Sequence, residues 1–210
     1  MDNRIHTVIF DLDGTLSDSA VLTVDALGRI APKQGLPVPT EEAIRRATGY
    51  ATPEFYYILF PGFPRETVYN AGLMVDEEEL RILPSLSGKL LFKGCMELLR
   101  RLAEKNIRLC IASTGDREHV YSILNETGII GFFDTIACAC PDKTGMLREV
   151  IGSSEKAGCV MVGDMKKDYE AARTNGILSV GACYGYCIRE LSDFDFYIDA
   201  PCDLFGILKL

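Results

Sequence analysis

Asp11 and Asp13 stand two residues apart in "TVIFDLDGTLSDS" (residues 7–19), directly after four mostly β-branched residues. Ionised carboxylates this close repel and are costly to desolvate, so a cation, hydrogen-bond donors or open water must compensate them. The pair suits two kinds of chemistry. Carboxylates bind hard divalent cations such as Mg²⁺, which prefers oxygen ligands and usually keeps some waters. They also serve as nucleophile and as general acid and base. A calcium loop is a third reading of the DxDG string, but it needs an acidic or amide residue in fifth place and glycine in sixth. Thr15 and Leu16 hold those places, so that reading fails.

Further polar residues follow other apolar runs. "RLCIAS" leads into Ser113-Thr114-Gly115, and "GCVMV" leads into Gly163-Asp164, with Asp168 four residues on. Lys143 opens the helical stretch before that last run. Singly, Lys143 reads as a solvated residue, Ser113 as a turn former and Asp164 as a helix cap. Together, at the ends of successive strands, they fit phosphoryl transfer. Ser113, Thr114 and Lys143 suit phosphate oxygens, with backbone N–H groups after Asp11 and Ser113 as added donors. A carboxylate of this set can also act as nucleophile, giving an aspartyl-phosphate. Asp13 is placed to protonate the leaving oxygen and later to deprotonate water.

The elements that position these residues are legible as alternation. "TVIF" (7–10), "RLCIAS" (108–113), "DTIACA" (134–139), "GCVMV" (158–162) and "ILSVG" (177–181) are continuous apolar runs, as in parallel strands covered on both faces. Amphipathic helices lie between them. Cys95, Leu98, Leu99 and Leu102 share one face, and Val120, Ile123, Leu124 and Thr127 another. The fold class expected is α/β, a doubly wound parallel-sheet Rossmann-like core. Residues 18–86 break the alternation and read as helices only, punctuated by "LPVPT" and "FPGFP", with "PSLSGK" (84–89) as a flexible return. They form a small all-helical cap domain inserted after the first strand, over the edge where open α/β sheets bind ligands. The expected core is 1–17 and 87–210, and the cap 18–86.

Composition excludes several classes. The net charge of −8 argues against general nucleic-acid binding, because nothing repays phosphate repulsion along an extended backbone. No apolar run reaches the roughly 18 residues of a membrane span, and the N-terminus does not read as a signal peptide. Eight cysteines without such a signal point to a reducing cytoplasm and to thiols packed as small hydrophobes. "CAC" (138–140) and the Cys183/Cys187 pair lack zinc-type spacing, and neither His6 nor His119 lies nearby in sequence.

The chain resembles the haloacid dehalogenase (HAD) superfamily of phosphotransferases. "DLDGTL" is similar to its first motif, Ser113 in "IASTG" to its second, Lys143 in "PDKTG" to its third and "VGDMKKD" to its fourth. "FKGCMELLRRL", "ETGIIGFFDTI", "AARTNGILSVGACYGY" and "DAPCDLFGIL" follow the phosphoglycolate phosphatase-like branch. The resemblance implies a phosphatase acting on a small phosphorylated metabolite, as monomer or homodimer. Asp11 would be its nucleophile and Asp13 its general acid and base. Mg²⁺ would be bound by the Asp11 carboxylate, the Asp13 backbone carbonyl and Asp164, while Ser113 and Lys143 would grip the phosphoryl group. Asp168 would orient Lys143 or the metal's waters. The sequence departs from the pattern at Met165, Thr144 and Lys93, none of which removes a catalytic group. A phosphomutase of the β-phosphoglucomutase type and a non-enzymatic phospho-accepting signalling domain are the competing readings. Within the cap, Arg45 and Arg46 suit a carboxylate or second phosphate, and Gly49-Tyr50 suits a loop with an aromatic face toward the site.

Overall fold

The computed structural model describes residues 5–186 and 193–209. Strands β1 (Thr7–Phe10), β2 (Arg108–Ala112), β3 (Thr135–Ala137), β4 (Cys159–Gly163), β5 (Leu178–Ala182) and β6 (Phe196–Ile198) form one parallel sheet in the order β3-β2-β1-β4-β5-β6. Every residue of β1 and β4 is buried, which is why their sequences show no apolar–polar alternation. Helices α5 (Cys95–Glu104), α6 (Arg117–Glu126), α7 (Lys143–Ile151) and α8 (Lys166–Asn175) cover the two faces. Successive β1 side chains point opposite ways. Val8 and Phe10 join Leu98, Leu99, Val120 and Leu124, whereas Ile9 joins Leu147, Val150, Ala171 and Ala172. The sheet is doubly wound, as the apolar runs imply. Chain direction across it reverses between β1 and β4, the crevice where such sheets bind ligands.

Two local expectations are corrected. β6 is a sixth strand that "DFDFYIDA" does not announce, because two of its three residues are exposed at the sheet edge. Residues 84–86 are not a flexible return: α4 (Arg65–Leu86) runs through Pro84, and a 3₁₀ turn follows. Burial of Ile82 and Leu83 just before the proline outweighs its missing N–H.

Helices α1 (Ala20–Ile30), α2 (Glu41–Ala47), α3 (Glu54–Leu59) and α4 lie between β1 and β2 in the chain. The buried stripe of α4 is Val68, Ala71, Gly72, Val75, Glu79, Ile82 and Leu83, a helical period with one charged member. Gly72 is required there, since a Cβ would stand 2.5 Å from the Tyr56 ring. Among the described residues, no helix is long and apolar enough to cross a membrane.

Leu99 is fully buried under the sheet between α5 and the strands. Leu99→Ala should therefore lower the unfolding free energy by about 2–5 kcal/mol in urea titrations. A loss well under 1 kcal/mol would contradict this packing.

Candidate active site

The carboxyl ends of β1 and β4 deliver Asp11 and Asp164, and the first turn of α8 delivers Asp168. One oxygen from each of these three buried carboxylates lies within 4.8 Å of the others. Lys143, at the start of α7, reaches into the group with its Nζ 2.8 Å from Asp11 Oδ1 and 2.5 Å from Asp168 Oδ1. Asp168 is held in turn by the Met165 backbone N–H, which donates to its Oδ2 at 2.9 Å. The Leu12 N–H donates to Asp11 Oδ1 at 2.8 Å.

Asp164 sits in a cradle of backbone. The Tyr186 N–H donates to its Oδ2 at 2.8 Å, and Thr15 Oγ1 donates to its Oδ1 at 3.3 Å. A Cβ on Gly14 would stand 2.3 Å from the Asp164 carboxylate, and one on Gly185 would stand 2.4 Å from the Asp164 Cβ. Gly14 also has φ +82°, so glycine is needed twice over. That explains the glycine in the DxDG string.

Charge in this cluster does not balance. Three carboxylates face one ammonium, which leaves two negative charges if all ionise. Burial therefore raises the Asp11 carboxyl to about 7 despite Lys143, with Asp168 adding to the rise. Burial, with Asp11 and Asp168 beside it, also raises Asp164 well above the carboxylate range. Lys143 is held more firmly protonated than usual because its two carboxylates outweigh its burial. A hard divalent cation fits this oxygen set and the missing charge.

Asp13 is differently placed. Its side chain stands outside the carboxylate cluster, with Oδ1 accepting from Ser19 Oγ at 2.5 Å and lying 3.0 Å from His119 Nε2. The other ring nitrogen of His119 lies 3.5 Å from Glu79 Oε2. Burial pushes the Asp13 carboxyl up, but His119 and Ser19 outweigh it and hold it below its ordinary value. Desolvation disfavours the His119 imidazolium, but Asp13 and Glu79 outweigh it and hold the imidazole well above its ordinary value.

Ser113 is buried at the end of β2, where its Oγ accepts from the Gly115 N–H at 3.1 Å. Thr114 Oγ1 donates to the carbonyl of Gly49 at 3.0 Å, tying the 48–50 loop to the sheet edge. Gly49, at φ +105°, packs so closely that a Cβ would stand 2.6 Å from Met165 Sδ. Met165 thus has a packing role at the place where it departs from the pattern. Gly49 and Tyr50 line a cavity of about 70 Å³ that opens beside Asp13.

Arg45 and Arg46 do not line that cavity. Arg45 makes a two-pronged contact with Asp18 at 2.6 and 3.2 Å, reaches Glu41, and lies 5.0 Å over the Tyr186 ring. Arg46 is exposed and paired with Glu42 on its own helix. Each follows the i, i+4 preference of α2 for a glutamate one turn earlier. The residues that sequence reasoning missed are Ser19, Glu79 and His119. Glu79 carries a signal, being the charged residue in the apolar register of α4. Cys138, Cys140 and Cys183 join no metal-competent cluster among the described residues, and Cys187 lies outside them.

The sequence model of the haloacid dehalogenase-like hydrolases matches residues 8–182. The chain is 26% identical over 215 residues to a phosphoglycolate phosphatase of Synechococcus elongatus, covering 95% of each chain. It is 27% identical over 223 residues to the pyrophosphatase PpaX of Listeria monocytogenes, covering 100% of this chain and 99% of that one. In fold it is similar to the crystal structure of a predicted phosphoglycolate phosphatase from Haemophilus somnus, with a TM-score of 0.87, 19% identity and 99% of each chain covered. With six parallel strands, carboxylates gathered at their carboxyl ends and a family match over most of its length, the chain belongs to the haloacid dehalogenase-like hydrolases.

Proposed function

We propose that the protein is a Mg²⁺-dependent phosphatase that hydrolyses small phosphomonoesters through an aspartyl-phosphate on Asp11. The observation that carries this reading is the buried Asp11–Lys143–Asp168 bridge beside Asp164, at the crevice between β1 and β4. The phosphatase names of full-length relatives support it. Residues 18–86 act as a cap over a core of 1–17 and 87–210.

An Asp11 carboxylate oxygen attacks phosphorus, and the ester P–O bond breaks with its electron pair going to the leaving oxygen. The negative phosphoryl group of a bound substrate raises Asp13 from its low resting value, and in that protonated form Asp13 supplies the proton that this oxygen takes. Among the described residues no hydrogen bond engages Asp13 Oδ2, so that oxygen is available for the transfer while Ser19 and His119 hold Oδ1. In the second half, Asp13 removes a proton from water as the water oxygen attacks phosphorus. The Asp11–phosphorus bond breaks and releases inorganic phosphate. Ser113 and Lys143 hold the non-transferring oxygens, and Asp168 fixes the Lys143 ammonium in place. Asp11, Asp164 and the Asp13 backbone carbonyl would hold Mg²⁺, which supplies positive charge against the phosphoryl oxygens.

Asp11→Asn keeps volume but removes the nucleophile, so a folded variant should lose turnover by several orders of magnitude in phosphate-release assays. Near-normal turnover would end the assignment. Asp13→Asn should cost about 10²- to 10⁴-fold, most for poor leaving groups. The product should be inorganic phosphate and the free alcohol, whereas an isomerised ester would indicate a mutase.

Lys143→Met strands two buried carboxylates without their ammonium and should cost about 3–5 kcal/mol in urea titrations under chelator. An unchanged midpoint would show that the bridge does not hold the site. Mg²⁺ should raise the melting temperature of the wild-type protein by binding only the folded state. Asp164→Ala should weaken that rise, and full activity after exhaustive chelation would exclude the metal.

A further inference from the structure

We propose that this site takes phosphomonoesters whose alcohol portion carries an ammonium group, that is, phosphorylated amino alcohols. The proposal rests on the phosphatase reading and names the substrate class for the same site. The cavity of about 70 Å³ beside Asp13 is where a leaving group would extend, because Asp13 lines it and Asp11 does not. Its walls include Asp76 and Glu79 of α4 and, at the rim, Asp116. Among the described residues, neither lysine nor arginine lines it. Lys167 lies 5.6 Å over the Tyr50 ring but is not part of the lining. Among the described residues the one cationic group there is His119, which has Asp13 on one ring nitrogen and Glu79 on the other. A second cavity of about 330 Å³ shares Asp76, Glu79, Asp116 and His119 as its wall and adds Glu77 and Glu118. Negative charge therefore faces the space from both sides.

Aromatic rings complete the chemistry. Phe55 and Tyr56 meet edge to face with centroids 5.0 Å apart, and both line the cavity with Tyr50. Rings beside carboxylates attract an ammonium through their faces as well as by charge. A substrate carboxylate would meet like charge instead, a juxtaposition that costs several kcal/mol. Arg45 and Arg46, which alone could have reversed that preference from α2, are committed to Asp18, Glu41 and Glu42.

Asp76 is kept at a cost to the fold. Tyr56 is the one described side chain that donates to it, and burial raises its carboxyl to about 6, with Tyr56 partly offsetting the rise. A carboxyl raised on folding favours the folded state only while protonated. That contribution is lost as pH climbs from the unfolded value of 3.8 through about 6. At neutral pH the ionised Asp76 disfavours folding, and a bound ammonium would add positive charge beside the Tyr56 hydrogen bond.

The test uses the full-length protein with Mg²⁺ and measures kcat/KM from phosphate release. The probes are phosphoethanolamine, its neutral analogue hydroxyethyl phosphate, phosphoglycolate, and an aryl phosphate as generic substrate. Phosphoethanolamine should lead and phosphoglycolate trail, with the extremes at least about tenfold apart. Asp76→Asn should shrink the phosphoethanolamine-to-phosphoglycolate ratio several-fold, with melting curves confirming a folded variant. Asp116→Asn, on an exposed residue whose cap function asparagine preserves, gives the same reading independently. Phosphoglycolate hydrolysed as well as phosphoethanolamine, or a ratio that neither variant moves, overturns the inference and leaves the phosphatase reading standing. No phosphate from any probe, the aryl ester included, overturns the phosphatase reading and the inference with it.

Discussion

The Lys143 ammonium between two buried carboxylates is the interaction on which the site depends. Its contacts to Asp11 and Asp168 bind the end of β1, the start of α7 and the first turn of α8 into one unit. Charges so deeply buried are tolerable only when paired and held in fixed geometry. The Met165 N–H on Asp168 and the Leu12 N–H on Asp11 provide that fixing from the backbone. A lysine in this setting has little freedom, and its position is set before any ligand arrives.

The bridge leaves the cluster short of positive charge, and the surrounding backbone explains why a neutral substitute has not filled the space. Gly14 and Gly185 press against Asp164, and a Cβ on Gly163 would stand 2.2 Å from the Asp168 carboxylate carbon. These contacts leave the acids no room to swing apart and relieve their repulsion. The same crowding brings Tyr184 and Tyr186 down over the turn after β1. Tyr184 donates to the Thr15 carbonyl at 3.0 Å, and the Tyr186 hydroxyl donates to Asp18 at 3.0 Å. Arg45 then ties α2 to that same Asp18. Arg45 thereby anchors α2 to the chain that leads from β1 into α1.

How much of this the sequence discloses depends on the range of the interaction. Asp11, Asp164 and Lys143 are legible because each follows or precedes an apolar run, and parallel strands bring such ends to one edge. The alternation from β1 to β5 is legible for the same reason. β6 is not, since an edge strand with exposed side chains has no apolar run to mark it. The Asp13–His119–Glu79 chain joins residues 40 and more positions apart through the packing of α4 on α6, which no local pattern encodes. The Arg45–Asp18 pair is not legible either, because an arginine on α2 has the same local sequence whatever it meets across the fold.

That long-range chain has a mechanical consequence. Asp13 sits on the rigid turn after β1, yet its Oδ1 partners come from the start of α1 and from α6, and Glu79 of α4 braces the far side of His119. The 48–50 loop is joined to the sheet edge separately, through Thr114 and the Met165 contact. Movement of α4 away from α6 would release His119 on one side without breaking the described polar contacts of Asp11, Lys143 or Asp168, none of which comes from α1–α4. The described partners of Asp11 thus lie outside α1–α4, whereas those of Asp13 include the N-cap of α1 and, through His119, Glu79 of α4. In the proposed mechanism, an acid–base Asp13 at the junction with these helices makes proton transfer the part of the chemistry that senses whether the pocket is assembled.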